Sequence, residues 1–134
     1  MSPLRSETLT LRTDEDVLRV RQMVRAWMVE QAFNVVEQTM MVTATSELAR
    51  NTVVHGGGGS ALIELLETTE CRGVRVRFED QGAGIINIDQ ALKDGYTTGV
   101  GLGLGLGGAR RLVDDFEIVS EPGKGTHVTI TKWK

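Results

Sequence analysis

A glycine-rich segment in the last third of the chain constrains the fold more than any other stretch. Residues 94–111, DGYTTGVGLGLGLGGARR, contain seven glycines in eighteen positions. Glycine reaches positive φ at little cost, and without a Cβ it lets a backbone N–H approach a ligand closely. Residues from Ala109 onward are typical of a helix opening, so the loop would bring its amides and the positive end of a helix dipole to one place. Such a place suits an anion, above all a phosphate.

Three other interpretations of this segment are weaker. Flexible linkers are rich in serine and polar residues, whereas these glycines alternate with a valine and three leucines that favour burial. Residues 103–108 match the dinucleotide pattern GxGxxG, but that pattern needs a strand directly before it, and residues 94–98 are not strand-like. The P-loop pattern needs Gly-Lys followed by Ser or Thr, and residues 123–126 have a glycine in that place. The sequence therefore predicts a phosphate loop of another kind.

Bulk properties exclude several classes of protein. The 134 residues suffice for a buried core, and we expect a single domain over residues 1–134. A net charge of −3 with scattered basic residues gives no reason to expect a nucleic-acid partner. No signal-peptide core is present, and no stretch approaches the roughly 18 apolar residues of a membrane span. We therefore expect a cytoplasmic protein with no membrane partner, and its single cysteine, Cys71, excludes an internal disulfide.

Hydrophobic periodicity predicts alternating groups of strands and helices. Strands are expected at residues 6–12, 61–68, 74–79, 116–120 and 126–133. Helices are expected at 14–33 with Thr13 as N-cap, from the cap Asn34 to about 54, within 88–93, and from 109 through 113. Hairpins between adjacent strands imply a mixed, mostly antiparallel sheet. The predicted fold class is α/β, a two-layer sandwich with about three helices covering one face of the sheet.

The second predicted helix places two polar side chains on one side. Glu47 and Asn51 are one turn apart, about 40° on the helical wheel, and Met40, Ala44 and Val54 lie on the same side. Polar groups on such a flank need partners, whether protein, water or a metal carried by a ligand. Alternatively, Glu47 pairs with an arginine and Asn51 only caps the end of the helix.

A second polar cluster follows the third strand, in the sequence DQGAG at 80–84. The carboxylate of Asp80 could accept a hydrogen bond from an amino group on a flat ring lying against Gly82 and Gly84. Asp and Gly are also the commonest turn residues, so an ordinary turn remains an alternative.

Taken together and in order, these motifs resemble a known family. ELARN at 47–51, DQGAG at 80–84, GLGLGL at 101–106 and Gly125-Thr126 are similar to the N, G1 and G2 boxes of the GHKL superfamily. Gyrase, the Hsp90 chaperone, histidine kinases and MutL share this ATP-binding fold, the Bergerat fold. The resemblance covers nearly the whole chain, and it implies binding of ATP and Mg²⁺.

The resemblance also implies roles for individual residues. Asp80 would bind the adenine amino group, with Thr126 nearby through water, and Gly82 and Gly84 would admit the adenine. Asn51 would hold Mg²⁺, and Glu47 would be the general base. Residues 95–108 would form the lid over the triphosphate, with nucleotide contacts from Gly99, Gly101, Leu102, Gly103, Leu104 and Gly105.

Within the superfamily, the short lid and the ending SEPGKGTHVTITKWK are similar to the bacterial serine/threonine kinases of partner-switching pathways, in particular the stressosome switch kinases. The chain has no room for the phosphoacceptor helices of a histidine kinase or for the further domains of gyrase, MutL and Hsp90. This resemblance implies a kinase that phosphorylates STAS-type antagonist or scaffold proteins and switches partners to activate a PP2C-type phosphatase. The alternative is an anti-sigma factor that sequesters a sigma factor and phosphorylates the antagonist of that interaction.

Overall fold

The computed structural model describes residues 2–85, 87–92 and 105–134. The strands in these ranges are β1 (Arg5–Leu11), β2 (Gly59–Glu67), β3 (Arg72–Asp80), β4 (Asp115–Glu121) and β5 (Gly125–Trp133). The helices in the same ranges are α1 (Asp14–Glu30), α2 (Val35–Val54), α3 (Ile88–Ala91) and α4 (Gly105–Arg111). Each predicted strand and helix is confirmed in type, with ends that differ by a few residues.

The strands form one sheet in the order β1-β2-β3-β5-β4, with β3 at its centre. Every strand pairing among the described residues is antiparallel, so the prediction of a mixed sheet is wrong in that detail. The reason lies in the connections: the short turns after β2 and β4 reverse the chain, and the α1–α2 pair returns it antiparallel to β1. This order leaves the end of β3 next to the beginning of β5, with Asp80 opposite Thr126.

The helices cover one face of the sheet, as a two-layer sandwich requires. Alternate strand residues point to that face and are buried, as period-2 patterning predicts. The sheet contributes Ala61, Ile63, Leu65, Val74, Val76, Phe78, Val128 and Ile130, and the helices contribute Val20, Val24, Met28, Met41, Ala44, Leu48, Leu106 and Ala109. Each fully buried large side chain stabilises the fold by about 1.5–3 kcal/mol. No helix among the described residues has both the length and the apolar character needed to cross a bilayer.

The predicted N-cap of α1 is confirmed by its hydrogen bonds. The Thr13 hydroxyl accepts from the backbone N–H of Asp16 at 3.2 Å. In return, the Asp16 carboxylate accepts from the backbone N–H of Thr13 at 3.2 Å and of Arg12 at 2.9 Å. These bonds, that from Arg12 above all, hold the pKa of Asp16 below its usual value. Asn34 caps α2 in the same reciprocal manner, together with Glu37.

Helix α1 ends at Glu30, three residues before the predicted end at Phe33. Ala32 adopts φ 60°, a left-handed conformation that residues other than glycine, asparagine and aspartate rarely take. The turn lets the backbone N–H of Phe33 donate to the carbonyl of Met28 at 3.0 Å, and it buries the Phe33 ring to 4% exposure. Burial of this ring offsets the strain, and no glycine marks the position in the sequence.

Candidate functional site

Four segments meet at one end of the central strand β3. They are the C-terminal half of α2, the loop after β3, the beginning of α4 and the beginning of β5. Gly56, just after α2, donates its N–H to the carbonyl of Asn51 at 3.1 Å and lies directly against the Asp80 side chain. The structure thus joins residues far apart in sequence, as the order of the motifs predicts.

The Asp80 carboxylate is held by one of its oxygens. Oδ1 accepts from the backbone N–H of Gly82 at 2.9 Å and from that of Thr126 at 3.2 Å. The residue is only 9% exposed. No donor from the described part of the chain contacts Oδ2, which lies beside Gly56. One oxygen therefore fixes the carboxylate, and the other is available as a hydrogen-bond acceptor.

Gly82 and Gly84 are explained first by packing within the protein. A Cβ on Gly82 would lie 2.8 Å from the Cα of Gly56. Gly84 has φ +78°, and a Cβ there would collide with the carbonyl of Glu121. Both glycines let the loop after β3 approach other backbone segments closely. Their contact with a flat ring stays a prediction.

Thr126 belongs to a hydroxyl cluster that the sequence analysis missed. The hydroxyl of Ser120 lies 2.8 Å from that of Thr126, accepts from the N–H of Ile85 at 2.8 Å, and donates to the carbonyl of Gly125 at 3.1 Å. The signal in the sequence was the alternation of β4, which puts Ser120 on the same face as Phe116 and Ile118. A hydroxyl among core residues needs partners.

Glu47 is buried, with 7% exposure, and has two partners. Its Oε2 lies 3.6 Å from Nη1 of Arg50, so the predicted alternative of an arginine partner is present. The Arg50 side chain is 54% exposed, and such pairs contribute little to stability. The other oxygen, Oε1, accepts from the backbone N–H of Gly105 at 3.1 Å. The carboxylate therefore also lies at the N-terminal end of α4, where a negative charge is favoured.

The flank around Glu47 differs in part from its prediction. Ala44 is fully buried and Met40 partly so, but Val54 is 61% exposed. Val54 is the last residue of α2, and its exposure excludes it from the apolar flank.

Asn51 does not cap α2 with its side chain. His55 is the C-cap residue, and its N–H donates to the backbone carbonyl of Asn51 at 2.9 Å. Within residues 2–85, 87–92 and 105–134, the Asn51 amide has no hydrogen-bond partner. The side chain is half-buried one turn beyond Glu47 and is free to bind a ligand.

Helix α4 begins at Gly105, four residues before the predicted opening at Ala109. Residues 105–108 of the predicted lid belong to this helix, and the rest of the lid, 95–104, lies outside the described residues. Glycines in a helix interior cost about 1 kcal/mol each relative to alanine, but Leu106 and Ala109 are buried and packing overrides the propensity. Among the predicted nucleotide contacts, Gly99, Gly101, Leu102, Gly103 and Leu104 lie outside the described residues.

Comparison with known proteins identifies the family. Residues 37–134 match the family described as histidine kinase-, DNA gyrase B-, and HSP90-like ATPase. The chain is 40% identical over 121 residues to the serine/threonine-protein kinase RsbT of Bacillus subtilis, covering 90% of this chain and 91% of that protein. It is 30% identical over 102 residues to the anti-sigma F factor of Bacillus cytotoxicus, covering 72% of this chain and 70% of that protein.

A solved structure shares the fold. The structure of the RsbU and RsbW domains of a Mycobacterium tuberculosis protein aligns with 99% of this chain, with a TM-score of 0.66 and 23% sequence identity. The aligned region is 34% of that longer chain, so the similarity concerns one part of it. At this identity it supports the fold alone.

Proposed function

The chain belongs to the family of histidine kinase-, DNA gyrase B- and HSP90-like ATPases, and from this membership we propose that it is an ATP- and Mg²⁺-dependent serine/threonine protein kinase of a bacterial partner-switching pathway. The observation that carries the proposal is the Asp80 carboxylate, buried and fixed by two backbone N–H groups, with Oδ2 left as an acceptor. A buried carboxylate oxygen that has no donor among the described residues suits the 6-amino group of adenine.

Asn51 is the candidate metal ligand. Its amide has no partner from the described residues, and a neutral oxygen suits a hard cation whose other ligands are phosphate oxygens and water. When bound, Mg²⁺ would neutralise charge on the β- and γ-phosphates. The carboxylate of Glu47, one turn earlier on the same helix, is held by Gly105 at 3.1 Å and by Arg50 at 3.6 Å.

Glu47 is then the general base of the transfer reaction. The hydroxyl oxygen of a partner serine or threonine attacks the γ-phosphorus, the bond from the γ-phosphorus to the bridging oxygen of ADP breaks, and the hydroxyl proton passes to the Glu47 carboxylate. The N–H of Gly105 orients that carboxylate through one oxygen. Positioning and charge neutralisation supply most of the rate, and a base typically contributes about 10²–10⁴-fold.

The proposed substrates are STAS-domain antagonist and scaffold proteins in the cytoplasm, and the proposed downstream partner is a PP2C-type phosphatase. The 40% identity to RsbT favours this assignment. The 30% identity to an anti-sigma F factor supports a second candidate function, in which the chain sequesters a sigma factor and phosphorylates its antagonist.

The test is single-turnover transfer from labelled ATP to a purified STAS-domain protein, with ATP affinity measured on the same samples. Glu47→Gln keeps an oxygen that can accept from Gly105 but removes the base, so we expect retained ATP affinity and transfer reduced at least tenfold. Glu7→Gln, an exposed change on β1, is the matched control and should be unaffected.

Unchanged transfer by Glu47→Gln would assign this carboxylate to structure alone. If the wild-type protein neither binds ATP nor transfers phosphate from it, the kinase proposal is refuted. Selective binding of a sigma factor, stronger with ATP than without it, would favour the second candidate.

A further inference from the structure

Ser120 connects the loop after β3 with the beginning of β5, and we do not expect it to contact the adenine base itself. It lies in β4 with its side chain half-buried on the helix-covered face of the sheet. Its hydroxyl accepts from Ile85, five residues after Asp80, and contacts Thr126, which pairs with Asp80. A second bond joins the same two segments, because the N–H of Gly123 donates to the carbonyl of Ala83 at 2.6 Å.

The protons in this cluster can be assigned from the partners. A serine hydroxyl has one proton to donate and two lone pairs to accept with. The carbonyl of Gly125 can only accept, so its bond at 3.1 Å takes the proton of Ser120. The N–H of Ile85 can only donate, so it takes one lone pair. The contact with Thr126 at 2.8 Å must then be a bond that Thr126 donates.

This assignment fixes the polarity of Thr126. Its hydroxyl proton points to Ser120, so only its lone pairs remain for a ligand. The site then offers two acceptors, Oγ1 of Thr126 and Oδ2 of Asp80. Adenine carries a donor at position 6, whereas hypoxanthine, the base of ITP, carries an acceptor there and a proton on N1.

We infer that Ser120 is a positioning residue for base selection: it orients the Thr126 hydroxyl as an acceptor, and so favours adenine over 6-oxopurines. This inference rests on the proposed function, because it requires the base to lie beside Asp80. Without Ser120, the Thr126 hydroxyl can rotate and donate to a 6-keto oxygen, directly or through water. Asp80 still discriminates, so part of the preference survives.

The experiment measures Kd for Mg·ATP and Mg·ITP with wild type, Ser120→Ala, Thr126→Val and the double variant. Wild type should prefer ATP, so its Kd for ITP divided by its Kd for ATP should exceed one. Ser120→Ala should lower this ratio by roughly 3- to 10-fold, which corresponds to the net free energy of one neutral hydrogen bond. Thr126→Val keeps the backbone N–H that Asp80 accepts, and should lower the ratio similarly. Because Ser120 acts through Thr126, Ser120→Ala should change the ratio no further in the Thr126→Val background.

Two further variants separate positioning from structure. Ser120→Thr keeps the hydroxyl and suits a strand, so it should retain the wild-type ratio. Ser6→Ala, an exposed serine on β1, is the matched control. Equal losses of ATP and ITP affinity in Ser120→Ala, or an undiminished effect in the Thr126→Val background, would overturn the inference without contradicting the proposed function. A wild type that binds neither nucleotide would instead overturn the proposed function and this inference with it.

Discussion

Gly56→Ala should displace the Asp80 carboxylate, and so weaken ATP binding, without a direct contact between the new methyl group and ATP. Gly56 begins the four-glycine turn after α2, and its backbone is not in the left-handed region. A Cβ there would overlap the Asp80 side chain, with Cβ and Oδ2 both at 2.5 Å, and the three nearest heavy atoms all belong to Asp80. Because one of them is the Asp80 Cβ, rotation of the carboxylate alone cannot relieve the overlap.

The magnitude follows from these distances. Ordinary van der Waals contact begins at 3.4 Å, so Asp80 must move by roughly 1 Å. Its bonds from Gly82 at 2.9 Å and Thr126 at 3.2 Å would stretch toward or beyond hydrogen-bonding range. Overpacking of this kind costs about 1–3 kcal/mol of stability. A lost hydrogen bond to a charged group costs about 1.5–3 kcal/mol, which raises the Kd for ATP about 10- to 150-fold.

Gly57→Ala is the matched control. Gly57 has φ +73°, and no heavy atom lies within 4 Å of the point that its Cβ would occupy, so alanine there suffers backbone strain of about 1–2 kcal/mol without a collision. The assay is calorimetric titration with Mg·ATP, with urea unfolding of each variant. We expect both variants to lose stability and only Gly56→Ala to lose affinity. Wild-type ATP affinity in Gly56→Ala would refute the assigned position of Asp80, and equal affinity losses in both variants would point to general loosening of the turn.

Four further changes test other parts of the structure. Asn51→Asp adds a negative charge beside the proposed position of the ATP phosphates, so the rate of phosphotransfer should fall at least tenfold. The melting temperature without nucleotide should change little. A wild-type rate of transfer would exclude Asn51 as the metal ligand. Thr45→Val removes a buried hydroxyl that has no partner in the described structure, and urea unfolding should show a gain of about 1 kcal/mol. Gly84→Ala should lower stability by more than about 1 kcal/mol, since it combines φ +78° with a backbone collision, and a smaller loss would contradict that packing. Asp16→Asn should lower the free energy of unfolding at neutral pH, because the folded state favours the ionised Asp16 carboxylate and so lowers its pKa. The difference in unfolding free energy from wild type should shrink below about pH 4, where acid protonates Asp16. A pH-independent difference would refute the charge contribution.

The sequence was sufficient where local chemistry decides the structure. The caps Thr13 and Asn34 set the helix starts, and period-2 alternation indicated strands at residues 6–12 and 126–133. The family resemblance implied that Thr126 lies near Asp80, and the spacing of Glu47 and Asn51 placed both on one side of a single helix.

What the sequence missed depends on distant contacts. The left-handed Ala32 is compensated by burial of Phe33, and the glycines inside α4 are compensated by burial of Leu106 and Ala109. The role of Ser120 depends on partners 35 and 6 residues away along the chain. Propensity gives no information about such compensation, because its free energy comes from tertiary packing.

The strand order has a consequence for synthesis of the chain on the ribosome. Asp80 and Thr126 are 46 residues apart, and the C-terminal strand β5 lies between β3 and β4 in the sheet. Until β5 is inserted, the central strand presents an unpaired edge, which invites aggregation. The same insertion supplies the N–H of Thr126 that completes the Asp80 acceptor. A nascent chain that lacks β5 therefore also lacks part of the adenine site that we propose, so by this proposal ATP would stabilise only chains in which β5 is in place.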